Sequence, residues 1–260
     1  MLLRIIGLTA LGAFSQAPPA DPGSSSSRYR VDQTLTQEID ATAAGQGKQR
    51  ISFSTSSFLT VTLTDSTGGK VVRIVVDSIR GDTASPIPAS VFDSARGTVY
   101  QGFLRPSGKL SDLEPLTTTP AATQIQGLLS DFFPWVRAGV KVGDQWADTS
   151  AQATGEGSDT VVVRRIVSYR AVGSEPRPTG TAVRVSSGYS SVVHGTQPTP
   201  NGPALIEGSG TGTGSYLLSP DGHYLGGDWH LQSTLSISGA FADDPLPITI
   251  DQVTKVTPLP

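Results

Sequence analysis

Between Pro203 and Gln232 the chain reads PALIEGSGTGTGSYLLSPDGHYLGGDWHLQ, with Gly208, Gly210, Gly212 and Gly214 on every second residue. Successive side chains of a strand point to opposite faces, so the four glycines share one face and leave it bare for four rungs. Glycine weakens a strand interior; a stripe of it marks a place where a backbone, a ligand or a bend comes close. Ser219-Pro220-Asp221-Gly222 then turns the chain into a return strand carrying Tyr224 and Trp229. The rest of the molecule is expected to cover or use that bare face.

Composition narrows the class. Only 16% of the 260 residues are charged, 29 are glycine, and the formal net charge is -3. That balance suits an exported β protein and lacks the basic stripe a nucleic-acid surface needs. The chain has no cysteine, which excludes disulfides, thiolate metal sites and a cysteine-linked lipid anchor. Residues 1–20 read as an export signal: Arg4, an apolar run from Ile5 to Phe14, and small residues around Ala17 and Ala20. Residues 21–27 continue a Pro/Ser-rich spacer that begins at Pro18, expected to be extended or disordered. The implied location is periplasmic or extracellular, with membrane association through the leader.

The remainder, 28–260, alternates with period two in segment after segment. Ile51, Phe53, Leu59, Val61 and Leu63 occupy odd positions, with Ser and Thr between. Turn signals at Thr67-Gly68-Gly69-Lys70 and Arg105-Pro106-Ser107-Gly108 mark hairpins. Val140 to Trp146 reads as strand, tight turn, strand; 174–180 and 197–203 read as loops. The first Pro-x-Gly hairpin echoes the one at Pro220, so 28–118 and 140–257 are expected to be two related meanders of a single domain. One segment changes period. Thr119 is an N-cap and Pro120 a first helical residue, and Ala121, Ile125, Leu128 and Phe132 recur at helical spacing. The expected fold is mainly β: a curved antiparallel sheet or half-barrel of about ten strands, with one amphipathic helix over 120–133 lying on it.

Phe133-Pro134, Val140-x-Val142-Gly143-Asp144-x-Trp146 and the Leu-Ser-Pro-Asp-Gly turn followed by Gly226-Gly227 resemble a group of uncharacterised exported bacterial β-domain proteins. These are distantly similar to periplasmic lipoprotein carriers, in which a helix lines a curved sheet. The resemblance covers roughly residues 95–232. It implies an apolar or acyl ligand on the concave side and no catalytic residues.

Chemistry-bearing clusters are sparse. His223 and His230, with Asp221 and Asp228, fall on one hairpin. In a straight strand residues 223 and 230 face opposite ways, unless a bulge at Gly226-Gly227 reverses the phase. The glycine spacing fits neither a dinucleotide nor a P-loop fingerprint, and no Gly-x-Ser-x-Gly elbow occurs. No metal, cofactor or nucleic-acid partner is expected. The expected function is non-catalytic binding of a lipid or other apolar small molecule. Ile125, Leu128, Leu129, Phe132, Gly210, Gly212, Tyr216, Leu218 and Trp229 are the candidate ligand-binding residues. Two alternatives are an extrinsic accessory subunit docked on a membrane protein complex and a hydrolase with an unrecognised site.

Overall fold

The alternating segments join into one antiparallel sheet in a computed structural model that describes residues 23–42, 45–129, 132–156, 159–178, 180–199, 202–239 and 245–260. Residues 1–20, expected to be an export signal, and the first part of the expected spacer lie outside the described residues. The strands are β1 (Ser24–Ala41), β2 (Gly47–Ser66), β3 (Gly69–Gly81), β4 (Val99–Leu104), β5 (Leu110–Pro115), β6 (Gln145–Glu156), β7 (Asp159–Arg177), β8 (Gly180–Thr199), β9 (Gly202–Leu218), β10 (Tyr224–Ser238) and β11 (Leu246–Leu259). Their spatial order is β5-β4-β3-β2-β1-β11-β10-β9-β8-β7-β6. Two meanders, β1 to β5 and β6 to β11, thus meet where the chain's first and last strands pair.

Period two explains which face is which. On the convex face of β1 and β2, hydroxyl and charged side chains pair across the ladder. Thr34 meets Ser54 at 2.9 Å and Thr36 meets Ser52 at 2.9 Å. The alternate residues Tyr29, Val31, Leu59 and Val61 are buried on the other face. Register shifts at Phe58/Leu59, Gln101/Phe103, Ala171/Gly173 and Tyr224/Gly227 break the ladders. Each bulge bends its strand and raises the local twist, which is how a sheet this wide curves.

Two helices sit on the first half. α1 (Ala89–Ala95) packs Phe92 and Ala95 toward β3. α2 (Pro120–Leu129) starts as its sequence implies: the Ala122 amide donates to Thr119 Oγ1 at 3.1 Å. Ala122, Ile125, Leu129 and Phe132 are buried almost completely. The Tyr100 hydroxyl donates to the Ala122 carbonyl at 2.6 Å, pinning α2 to β4. Fully burying a side chain such as Ile125 contributes roughly 1.5–3 kcal/mol.

A segment after α2 ties the two meanders together. The Val136 amide donates to the Gly108 carbonyl at 3.1 Å, and the Gly139 amide to the Pro220 carbonyl at 3.1 Å. These acceptors lie in the two Pro-x-Gly turns, which have the same internal bonding. Arg105 N donates to Lys109 O at 2.9 Å and Gly108 N to Arg105 O at 2.8 Å; Ser219 N donates to His223 O at 3.0 Å and Gly222 N to Ser219 O at 2.9 Å. Gly108 has a positive φ, and a Cβ there would run into the Val136 carbonyl and the Trp135 ring. Glycine is required because the tie lies directly on the turn.

Several local expectations are corrected. The expected fold class stands, a curved antiparallel sheet with eleven strands among the described residues and one substantial helix, and α1 is a short helix beside it. Ser24–Ser27, read as spacer, belong to β1 and pair with Val61 to Thr64 of β2; an available partner strand outweighs the serine composition. Val140 and Lys141 form no strand: Val140 is buried, Val142 is exposed, and Asp144 Oδ2 accepts from the Lys141 amide at 3.0 Å to close a turn. The expected loops at 174–180 and 197–203 are mostly strand, with β7 running to Arg177 and β8 to Thr199. Helical structure reaches Leu129, and Phe132 follows in a turn; residues 130 and 131 lie outside the described residues.

The glycine stripe faces the concave side, but it is not the helix that covers it. A Cβ on Gly214 would lie 2.8 Å from Trp229 Cβ and 3.0 Å from Ser187 Oγ; one on Gly212 would lie 2.5 Å from the His230 carbonyl oxygen. Side chains of β8 and β10 lean over β9 from both sides. Gly212→Val is therefore expected to lower stability by about 1–3 kcal/mol through overpacking, read as a lower denaturant midpoint with unchanged m-value.

The buried tyrosines give a second prediction. Burial pushes the Tyr29 hydroxyl up to about 12 from 10.0. The unfolded chain releases that proton near pH 10 while the folded chain holds it, so the stabilisation is complete below pH 10 and lost as pH rises to 12. For Tyr29 the limit is about 3 kcal/mol. Denaturation midpoints measured at stepped alkaline pH should fall across that window, and should fall less in Tyr29→Phe.

Candidate functional site

The lower part of the concave face is solid. Tyr29 stacks on Tyr224 with centroids 5.5 Å apart, and Phe133 and Tyr216 meet Tyr224 edge-on at 5.7 and 6.2 Å. The Tyr29 hydroxyl donates to the Tyr224 carbonyl at 2.8 Å, and Tyr216 to the Trp135 carbonyl at 2.8 Å. Burial raises the hydroxyl pKa of Tyr216 and Tyr224 well above the usual range, so both are neutral. Tyr224 Oη and Trp146 Nε1 have no hydrogen-bond partner among the described residues.

Above this cluster the filling stops, and a cavity of about 460 Å³ remains between the tie, β5 and the strands β6 to β10. Its apolar floor is made by Phe133, Pro134, Trp135, Tyr216, Trp229 and Leu231. Its polar wall carries Lys109, Asp148, Ser150, Gln152, Arg165 and Tyr189. The register explains the grouping. Asp148, Val167, Tyr189, Gly212 and Leu231 are successive cross-strand partners from β6 to β10 and so form one row across the sheet. At Gly212 the space a side chain would take is filled by Leu231, whose Cδ2 an added Cβ would strike. One rung away, Gly210 lies between Ser191 and Ser233, whose hydroxyls close over it.

The cavity's charges are fixed in place. Lys109 Nζ lies 2.7 Å from Asp148 Oδ1 and bridges the β4–β5 turn to β6, the two ends of the sheet. The Arg165 guanidinium carbon lies 5.2 Å from the centroid of the Tyr189 ring, in cation–π range. Trp146 stacks on Tyr169, a wall residue, at 5.4 Å and 12°.

Of the residues singled out from sequence, Tyr216 and Trp229 line the cavity. Gly210 and Gly212 are not among its lining residues; Ser191 and Ser233 lean over the first and Leu231 over the second. Ile125, Leu129, Phe132 and Leu218 are buried in the solid core, each at 1% exposure or less. The Leu128 side chain lies outside the described residues. Sequence reasoning missed Lys109, Asp148, Arg165 and Tyr189. Alternation was their only signal, and parity does not say which strands stand opposite each other.

The histidines do not converge. His223 Nε2 is 3.0 Å from Asp221 and His230 Nε2 is 2.8 Å from Asp251. A bulge does separate 223 from 230, yet each ring takes its own carboxylate. Among the described residues no group of three or more His, Cys, Asp or Glu is placed to hold a metal ion.

The convex face of β1 carries Arg28, Arg30, Asp32, Thr34, Thr36 and Glu38, and that of β10 carries Asp228, His230, Gln232 and Thr234. Exposed Ile166, Val192 and Val253 interrupt this polar surface singly. Among the described residues no helix is long and apolar enough to cross a membrane.

No family model matches the sequence, and no curated protein matches it. Among solved structures the similarity is distant and to outer-membrane porin-like β proteins, rather than to the lipoprotein carriers that the sequence resemblance implied. OpdQ of Pseudomonas aeruginosa is 8% identical, with 91% of this chain and 98% of that chain covered and a TM-score of 0.30. A BenF-like porin from Pseudomonas fluorescens Pf-5 is 7% identical, with 90% and 99% covered and a TM-score of 0.26. OccK2 (OpdF) of Pseudomonas aeruginosa, solved in complex with glucuronate, is 9% identical, with 90% and 98% covered and a TM-score of 0.25. At these values the chain takes neither family, architecture nor activity from them.

Proposed function

We propose that this chain is a non-catalytic exported protein that holds a small ligand with an apolar or acyl part in the concavity of its sheet. The observation that carries the reading is the unfilled cavity of about 460 Å³ with an aromatic floor and a polar wall. Cavities of a few hundred cubic ångströms, mostly apolar with a few placed polar groups, are the usual form of small-molecule sites. The aliphatic side of the concavity extends the floor. Leu231, Leu35 and Phe53 lie on the cavity's row, and Leu235, Ile248 and Ile39 on a row further along the strands. Most are half-buried. An acyl chain laid there would gain about 0.8 kcal/mol per buried methylene. Arg4 and the apolar run from Ile5 to Phe14 support export.

Trp135 and Trp229 report on the site directly, since both line it. Titration with dodecanoate or an anilinonaphthalene sulfonate dye is expected to change tryptophan emission saturably. Leu231→Ala should weaken binding about 10-fold, in line with the 1–3 kcal/mol that small changes in an apolar pocket cost, while a thermal melt confirms the fold. A response that never saturates, or saturates equally in Leu231→Ala and Trp229→Ala, would sink the reading.

A further inference from the structure

We infer that the ligand of this cavity is an amphiphile with an uncharged, hydroxyl-rich head, of the glycolipid kind, seated on the paired Lys109 and Asp148 and on the cavity face of β6. This rests on the binding reading above and names the ligand's class. Three charged side chains line the cavity, Lys109, Asp148 and Arg165, and each is already engaged. Lys109 Nζ lies 2.7 Å from Asp148 Oδ1, so these two largely cancel. The Arg165 guanidinium carbon lies 5.2 Å from the centroid of the Tyr189 ring, and Arg165 is engaged beyond that contact. An ionic head of either sign would shed water here without meeting a charge that needs it. Burying an ion without a partner costs far more than burying a neutral group that is hydrogen-bonded.

The hydrogen-bonding groups on offer are mixed in kind. Asp148, Ser150 and Gln152 alternate along β6 and share its cavity face, spaced by about 7 Å at ~3.4 Å per residue. Lys109 donates to one oxygen of Asp148, which leaves further donors on the ammonium and further acceptor sites on the carboxylate. Ser150 adds a hydroxyl and Gln152 an amide, and each of these both donates and accepts. A carboxylate head only accepts and an ammonium head only donates; a hydroxyl does both, so a polyhydroxy head matches the ion pair and both neutral side chains together. On the floor, Trp135, Tyr216 and Trp229 present rings to the apolar C–H face of a sugar and to the hydrocarbon attached to it.

The experiment compares dodecyl β-D-glucoside with dodecanol, dodecanoate and dodecylammonium, matched in chain and differing in head, by tryptophan titration below the micellar range and by native mass spectrometry. Wild type is expected to bind the glucoside about 10-fold more tightly than dodecanol, the gain that one or two neutral hydrogen bonds supply, and both ions more weakly than the glucoside. Ser150→Ala combined with Gln152→Ala should bring the glucoside down toward the alcohol. Thr149→Ala, on the other face of β6, should keep the ranking. Unpairing the charges should create a preference between the ions of about 3-fold: dodecanoate over dodecylammonium in Asp148→Asn, and the reverse in Lys109→Gln, with thermal melts confirming the fold. A wild type that binds either ion more tightly than the glucoside, or binds the glucoside no better than dodecanol, overturns the neutral-head assignment and leaves the apolar site standing. So does an ion ranking that neither charge variant moves. Absence of binding by all four overturns the site itself.

Discussion

The hydrogen-bonded tie between residues 135 and 139 and the two Pro-x-Gly turns holds the architecture together. An eleven-stranded antiparallel sheet has a large apolar concave surface; bulges bend it, but in an unclosed sheet no ladder holds its two halves at a fixed separation. The turns at 105–109 and 219–223 offer carbonyls from opposite meanders. One short segment accepts both constraints, and Gly108 and Gly222 let its backbone lie against each turn. α1, α2 and the aromatic cluster of Tyr29, Phe132, Phe133 and Tyr224 then fill the space beneath. The cavity is the part of the concavity left beyond the tie's reach.

Much of this was legible in the residues. Period-two alternation located most strands, Thr119-Pro120 located the start of α2, and the glycine spacing identified a bare concave row. The paired Pro-x-Gly turns were legible as an echo, and they share one bonding pattern. Local signals failed where tertiary partners decided. Ser24–Ser27 look like linker, yet β2 supplies their ladder. Val140 and Val142 favour a strand by propensity, but Asp144 turns the chain there. α1 was overlooked because Phe92 and Ala95 make only one helical repeat, too short for periodicity to register.

The site was less legible than the fold for a reason rooted in distance along the chain. Lys109 and Asp148 are 39 residues apart and belong to different meanders. Arg165 and Tyr189 meet only through the β7–β8 register. Each sits in a strand whose alternation marks it as inward or outward but not as a neighbour of the others. The helix residues were visible as an apolar face, and apolar faces serve solid cores and cavities alike. Here most of that face went into the core.

The ends of the sheet have a mechanical consequence. Among the described residues no ladder joins β5 to β6; across that line stands the pair of Lys109 and Asp148, partly open to solvent. An ion pair of this kind is worth about 1 kcal/mol or less, far below the cost of parting two hydrogen-bonded strands. The molecule therefore has a built-in seam. Amide protons along the outer edge of β6 should exchange ahead of those in central strands, and the two edges can part there without any β-ladder being broken.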